Sequence, residues 1–436
     1  MTRPGGTWQN WGRSESIKPL RVEYPRSVAA VQRAVDAARS VGLPVKAVGA
    51  GHSFTAIAAA PGALLDLSDL SGVVRVERDR GRVSFAAGTR LHQVPRLLAP
   101  YGLAMQNLGD IDRQTIAGAL STGTHGTGAQ FGGLATQVVG VRLVTADGEL
   151  LTIDDEQNAD LLPAVALSLG ALGVLVEVTL QCVPSFLLHA DERREPLDDV
   201  LATLDARVEA DHFEFYWFPH TDVALTKTNT RLPESAVRAP LPRVGKWVDE
   251  TLLANGVYRA TCALGSVIPA FTPPISRLAV KLTGSREYTD RSPRVFTQRR
   301  TVRFREMEYA LPADAVGEAF ASLRRLIAQK RWRISFPAEV RFAAADDRWL
   351  STAHGRASAY IAVHRYFRED PAEYFTAVEQ IMLSHGGRPH WGKMHSLDAA
   401  ELRTRYERFD DFVALRDRLD PGRVFGNAYL TRVLGV

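Results

Sequence analysis

Gly49-Ala50-Gly51-His52-Ser53 decides how this chain is read, because it sets a histidine inside a glycine turn otherwise suited to phosphate. Val45-Lys46-Ala47-Val48, just before it, reads as a short strand. Ser27 is placed to cap a helix carrying Val28, Val31, Val35 and Ala38 on one face, with Gly42 past its end. A helix, a strand and a Gly-x-Gly turn make an anion cradle, since glycines let backbone N–H groups converge without side-chain obstruction. The turn is not a dinucleotide fingerprint: Phe54 stands where a third glycine belongs, and the helix precedes the strand. By itself the pentapeptide reads first as a tight turn around a structural histidine.

A second block changes that reading. Residues 117–128 run Ala-Gly-Ala-Leu-Ser-Thr-Gly-Thr-His-Gly-Thr-Gly, with hydroxyls at Ser121, Thr122, Thr124 and Thr127 between the glycines. Backbone donors and hydroxyls without a nearby lysine suit a pyrophosphate that stays bound better than a phosphate to be transferred. No Walker sequence is present, which removes the simplest nucleotide hydrolase. Ser168-Leu-Gly-Ala-Leu-Gly173 then runs into Val174-Leu-Val176, again coupling a glycine turn to a β-branched strand.

A chain of 436 residues holds two or three domains with substantial cores, and 45% hydrophobic with 23% charged residues is ordinary for a globular protein. A net charge of +4 suits an anionic cofactor but is too small to argue for nucleic acid, and no basic patch interleaves with aromatics. Cys182 and Cys262 make neither a disulfide framework nor a metal cluster, which leads to cytosolic thiols. The first residues lack an apolar signal core, and Ala260–Thr272 is too short to span a bilayer. The expected location is therefore cytoplasmic.

Residues 1–183 alternate helix-like and strand-like segments, pointing to an α+β or α/β domain. Expected strands are Ala63–Leu67, Val83–Ala87, Val138–Val144 and Val174–Leu180, with Asp147-Gly148 turning a hairpin. Pro184 marks a boundary, after which the composition shifts toward longer helices and aromatics, with a proline-rich basic stretch at 232–246 read as a solvated loop. Helices are expected at Ala315–Gln329 and at Pro371–His385, the latter stopped by Gly386-Gly387.

Phe336–Phe342 alternates as a strand, so Glu339 and Arg341 share a face while Val340 and Phe342 point the other way. Such a pair is either a structural ion pair or, on a pocket wall, a device to orient a polyol and take a hydroxyl proton. Gly387-Arg-Pro-His390-Trp-Gly-Lys393 is either a capped loop with a solvated lysine or a group that stabilises developing negative charge. Asp420-Pro-Gly-Arg-Val-Phe-Gly-Asn427 reads as a turn in a docking tail. The histidines lack metal-ligand spacing, and no nucleophile elbow is present. No metal is therefore expected.

These motifs together resemble a known family. Gly49-Ala-Gly-His52-Ser-Phe54, Asn107-Leu-Gly109-Asp110, Thr122-Gly-Thr-His125-Gly-Thr-Gly128, Ser168–Gly173, Glu339-Val-Arg341 and His390-Trp-Gly-Lys393 occur in the order found in sugar-1,4-lactone and alditol oxidoreductases. Those enzymes belong to the vanillyl-alcohol-oxidase flavoprotein superfamily. The likeness runs from about Trp8 to the C-terminus, is specific at 45–182 and 336–436, and is loose across 185–335. It is nearest to the bacterial gulono- and arabinono-lactone enzymes.

The resemblance implies an α+β fold: a two-subdomain PCMH-type FAD-binding domain (1–183), an antiparallel-sheet cap over the substrate (184–395), and a C-terminal segment (396–436) returning to the first domain. By the same analogy, Gly49, Ala50, Gly51, His52 and Ser53 hold FAD, His52 covalently through the flavin 8α-methyl. Gly118, Thr122, Gly123, Thr124 and His125 enclose its other side, and Asp110, Thr115, Gly173, Val176 and His390 contact it. Glu339, Arg341 and Lys393 are the implied catalytic residues, and Asp110 and His364 join them around the substrate. The implied reaction is oxidation of an L-gulono- or D-arabinono-1,4-lactone by hydride transfer to flavin N5, giving an ascorbate-like product. An open-chain alditol oxidase, or a flavin-binding redox module without turnover, are the competing readings. Gly109 leaves room for oxygen, so the acceptor is expected to be oxygen or a cytochrome c-like protein, with a slight lean toward a dehydrogenase. Peripheral membrane attachment through the stretch near 232–282 stays open.

Overall fold

The computed structural model describes residues 6–242, 258–298 and 300–436. The N-terminal part is built on two main sheets, beside two-residue ladders at Trp8–Gln9/Ser16–Ile17 and Leu103–Ala104/Val183–Pro184. In the first, β1 (Arg21–Glu23), β2 (Val45–Val48) and β3 (Ala63–Asp66) are parallel in the order β1-β3-β2. Helix α1 (Val28–Arg39) crosses between β1 and β2. Ser27 caps it by accepting from the Ala30 N–H, and it buries Val31, Ala34, Val35 and Ala38, the face read from the sequence. The second sheet is antiparallel: β4 (Val73–Glu77), β5 (Arg82–Ala86), β6 (Val138–Val144), β7 (Leu150–Ile153) and β8 (Val174–Gln181), ordered β7-β6-β8-β5-β4. The β6–β7 hairpin turns at Asp147-Gly148, where Gly148 has φ +85°. Helix α2 (Ile116–Ser121), capped by Thr115, carries the second glycine block against these sheets.

The stretch after 184 differs from its compositional reading. It is built on an eight-stranded antiparallel sheet: β9 (Phe186–Pro196), β10 (His212–Trp217), β11 (Val223–Pro233), β12 (Arg286–Arg291), β13 (Phe304–Pro312), β14 (Ala338–Ala343), β15 (Ser358–Tyr366) and β16 (Arg388–Pro389). Their order is β12-β9-β11-β10-β14-β15-β13-β16. The strands were masked by charge: Glu, Lys and Arg alternate along them, and several of those side chains face an enclosed polar cavity. The proline-rich stretch is not wholly a solvated loop. Its first residues finish β11, and Arg238 pairs with Asp290 at 2.6 Å. Residues 243–246 lie outside the described residues.

The longest helices that accompany this sheet among the described residues are α3 (Tyr258–Val267), α4 (Thr272–Leu282), α5 (Val316–Lys330) and α6 (Ala372–Ser384). The last two match the expected helices to within a residue at either end. Phe320 and Leu323 of α5 and Val378 of α6 bury against Phe215, Val340 and Ile361, one face of the sheet. The other face is left for chemistry. After β16, α7 (Phe409–Leu419) and α8 (Ala428–Leu434) join the core of the first two sheets. The Asp420 carboxylate accepts from the N–H groups of Val424 and Phe425, which turns the tail so that Val45 N–H of β2 donates to Val424 O. No described helix is long and apolar enough to cross a membrane.

Candidate active site

The Gly-x-Gly turn follows β2 directly. Gly51 has φ +68°, a conformation that favours glycine. A Cβ on Gly49 would lie 2.3 Å from Thr115 Oγ1, so only glycine allows that approach. The backbone N–H groups of Ala50, Gly51, His52 and Ser53 meet no acceptor among the described residues. They border a partly open cavity of about 940 Å³ that is also lined by Thr115, Gly118, Ser121, Thr122 and Gly173. Unpaired backbone donors and hydroxyls in a row are the chemistry that holds a pyrophosphate, so the lining fits FAD.

A second cavity, of about 740 Å³, shares His52, Ser53, Gln114 and Thr122 with the first. His52 stands where the two meet, stacked on Trp11 with ring centroids 5.4 Å apart. Burial, reinforced by the charges of Arg90, Lys393 and Arg113, lowers its pKa to about 4. The imidazole is therefore neutral, and nucleophilic, near pH 7.

The second cavity lies on the open face of the eight-stranded sheet. β14 projects Glu339 and Arg341 from one face, 2.5 Å apart, and Arg341 reaches Glu214 of β10 at 2.7 Å. Tyr216 donates to Glu339 at 3.4 Å, and Asp110 pairs with Arg300 at 2.5 Å. Burial raises the pKa of Glu339 in spite of Arg341 and Arg300. Arg341 loses by burial but gains more from Glu339 and Glu214, and stays firmly protonated. Glu339 is thus a carboxylate with enhanced basicity, fixed in direction by a permanent cation.

Two carboxylates that the sequence reading missed complete the site. Glu306 and Glu308 lie two apart on β13, both buried and both lining this cavity. Lys393 forms an ion pair with Glu306 and lies 3.8 Å from Glu308. His364 Nδ1 meets Pro337 O at 3.0 Å, and its Nε2 is 3.5 Å from Glu306. His125 Nε2 lies 3.1 Å from Glu308, with its ring stacked on Tyr360. Burial pushes Glu306 up, but Lys393 and His364 outweigh it and bring the pKa down to about 2. Burial lowers Lys393, and Glu306 and Glu308 more than reverse that. The period-two spacing of Glu306-Met-Glu308, running into Tyr309-Ala-Leu311, was the available signal, the same one that exposed Glu339 and Arg341.

His125, Glu308 and His390 come close enough to hold a cation, which their sequence spacing did not suggest. However, His390 Nδ1 accepts from the Gly392 N–H at 3.0 Å, and burial holds the ring neutral with a pKa of about 4. Its Nε2 therefore carries the proton, which leaves neither ring nitrogen free for a cation and makes this a poor ligand set. Of the residues the sequence singled out, all line one cavity or the other except Gly123 and Val176. Gly123 turns the chain at φ +79° against Leu167, and Val176 is buried in β8 with its carbonyl accepting from Ala87.

Comparison with known proteins agrees with this geometry. The family described as FAD binding domain matches residues 19–154, and that described as D-arabinono-1,4-lactone oxidase matches residues 178–433. An L-gulono-1,4-lactone dehydrogenase of Mycobacterium tuberculosis is 43% identical over 98% of this chain and 99% of its own length. An L-gulonolactone oxidase of Bos taurus is 33% identical over 98% of both chains. The crystal structure of cholesterol oxidase from B. sterolicum superposes with a TM-score of 0.81 over 98% of this chain and 96% of that one, at 18% identity, a likeness of fold alone.

Proposed function

The chain belongs to the D-arabinono-1,4-lactone oxidase family, and we propose that it is an FAD-dependent oxidoreductase that oxidises an aldono-1,4-lactone of the L-gulono or D-arabinono type at a ring hydroxyl. The observation that carries the reading is the buried Glu339–Arg341 pair facing Lys393 across one cavity, beside a row of unpaired backbone donors. FAD, when bound, supplies the two-electron acceptor that takes hydride from the carbinol carbon. Glu339 takes the hydroxyl proton at its carboxylate, since its raised pKa makes it the strongest base of the acidic cluster. Arg341 holds Glu339 in line and keeps the carboxylate directed. Lys393, held charged by Glu306 and Glu308, donates to the lactone oxygen and stabilises negative charge. Asp110 and His364 bound the space the lactone occupies.

His52, neutral and at the junction of the two cavities, is the residue we assign to a covalent bond with the flavin. The electron acceptor on this reading is oxygen or a cytochrome c-like protein. Gly109, which lines the reaction cavity, supports access by oxygen. The cap stretch near 232–282 is the part we assign to contact with a membrane surface.

The test is anaerobic mixing of the purified holoprotein with L-gulono-1,4-lactone, following oxidised-flavin absorbance, after acid precipitation has shown whether the chromophore stays with the chain. Rapid bleaching that oxygen or cytochrome c reverses supports the reading and identifies the acceptor. Bleaching by open-chain alditols alone would replace the lactone with a polyol, and bleaching by neither would leave a redox module without turnover.

A further inference from the structure

The chain carries a cluster of guanidinium groups that neither the cofactor nor the lactone uses. Arg356, just before β15, Arg388 of β16, and Arg403 and Arg405 further on line one partly open cavity of about 720 Å³. Among the described residues it shares no lining side chain with the cofactor cavity or the reaction cavity.

Three of these cations are held in place by neutral groups. Arg388, 6% exposed, donates from Nε to Arg405 O at 2.8 Å and from Nη1 to His354 O at 2.6 Å and Thr352 O at 3.3 Å. Arg356 Nη2 donates to Gly386 O at 2.9 Å and Ala310 O at 3.1 Å, and Arg405 Nη1 to Gly387 O at 3.2 Å. Carbonyls orient a guanidinium without cancelling its charge. The Nε–H groups of Arg356 and Arg405 are buried and meet no acceptor among the described residues. Burial, and then the charges of Arg388 and Arg405, lower the Arg356 pKa to about 10, which leaves it protonated at neutral pH.

The carboxylates on the cavity wall do not neutralise the cluster. Asp410 is taken by Arg403 at the rim, 2.7 Å away. Glu407 lies 3.9 Å from Arg388 Nη2, beyond hydrogen-bond distance, and its side chain is 71% exposed. Buried charges are ordinarily paired, so fixed cations with unused donors around one cavity call for an anion from outside the chain. A planar carboxylate is satisfied by one guanidinium fork, whereas a phosphoryl group carries three acceptor oxygens and takes donors from several arginines. None of the large apolar side chains that stand exposed lines this cavity, which fits a soluble ligand rather than a lipid.

We propose that this cavity binds a small soluble phosphate compound, a phosphate monoester or a diphosphate, with its oxygens on Arg356, Arg388 and Arg405 and with Arg403 at the rim. Arg388 is two residues from His390, and Tyr406 of the cavity wall packs on Trp391 with ring centroids 5.0 Å apart. An occupant therefore braces the turn that carries His390 and Lys393 into the reaction cavity. The site stands apart from the lactone reading, since it requires no particular reaction.

Equilibrium dialysis of the FAD-loaded holoprotein against radiolabelled inorganic pyrophosphate, in about 0.15 M chloride to screen loose surface attraction, tests it. Bound FAD keeps the probe out of the cofactor cradle. The expected result is one saturable site per chain, weakened at least about tenfold in Arg405→Gln and in Arg403→Glu, with citrate displacing the label less readily than unlabelled pyrophosphate does. Arg403 is exposed, so its variant carries the test should Arg405→Gln fail to fold, which flavin absorbance and circular dichroism report. Absence of a saturable site, or binding that either folded variant leaves undiminished, overturns the proposal. Citrate displacing the label more readily than pyrophosphate overturns it too, and would assign the cavity to a polycarboxylate. A holoprotein that binds pyrophosphate in this way but is reduced by no lactone would instead overturn the proposed reaction and leave the anion site standing.

Discussion

At the scale of the residue, the site is organised by buried acids on strands of one sheet, Glu339 on β14 and Glu306 on β13 with β15 between them, that are pushed in opposite directions. Glu339 is raised by burial, whereas Glu306 is lowered to about 2 because Lys393 and His364 outweigh burial. One carboxylate is thereby made basic and the other made a fixed counter-ion, which separates proton transfer from charge stabilisation. Glu339→Gln should retain flavin and fold but slow anaerobic flavin reduction by about 10²–10⁴-fold, the usual worth of a general base, in stopped-flow measurement. Glu306→Gln acts differently. It removes the partner that keeps Lys393 charged against burial, so the Lys393 pKa should fall. The alkaline limb of the kcat profile should then move toward neutral pH, while the flavin content stays that of the wild type. An unmoved alkaline limb would mean that the Lys393 charge is held elsewhere.

At the scale of the element, the C-terminal tail ties the cofactor cradle in place. Asn427 caps α8 by accepting from the Leu430 N–H, and its amide donates to the carbonyls of Ala56, Ile57 and Ala59, just after the Gly-x-Gly turn. Lys46 on β2 donates to Gly170 O and Phe425 O, joining the third glycine turn to the same tail. Asn427→Ala removes a cap and leaves the Ile57 and Ala59 carbonyls short of a donor, so it should cost about 2 kcal/mol of stability, read as a lowered denaturation midpoint. It should also speed loss of any non-covalently held flavin, since the cradle directly precedes these residues. Equal midpoints for variant and wild type would show that water replaces the amide without cost.

At the scale of the molecule, buried neutral histidines make stability depend on acid. His212, His390 and His395 have pKa values lowered by burial to about 4, 4 and 3. An unfolded chain protonates them near pH 6.5, so it binds more protons than the folded one between about pH 6.5 and 4. Stability should therefore fall as pH falls through that window, and the thermal midpoint measured from pH 7 to 4 should drop well before the paired carboxylates such as Glu306 titrate. A midpoint flat down to pH 4 would contradict these environments.

Most strands of the first two sheets, though not β1 and β4, the cap of α1 and the face shared by Glu339 and Arg341 were legible in the sequence, because each follows from local periodicity and turn chemistry. The glycine turns were legible for the same reason, since a required left-handed φ or close approach leaves glycine behind. The cap sheet was not legible from composition: its strands alternate apolar with charged residues, and in a linear chain those charges look like solvent-facing ones. Only the tertiary structure decided that Glu306 and Glu308 face inward onto Lys393 and His125, that Asp110 meets Arg300 across 190 residues, and that the tail closes on β2. Local backbone preference acts over a few residues and can be read along the chain. A buried charge is tolerated only when a partner arrives from a distant segment, and that partner is chosen by packing.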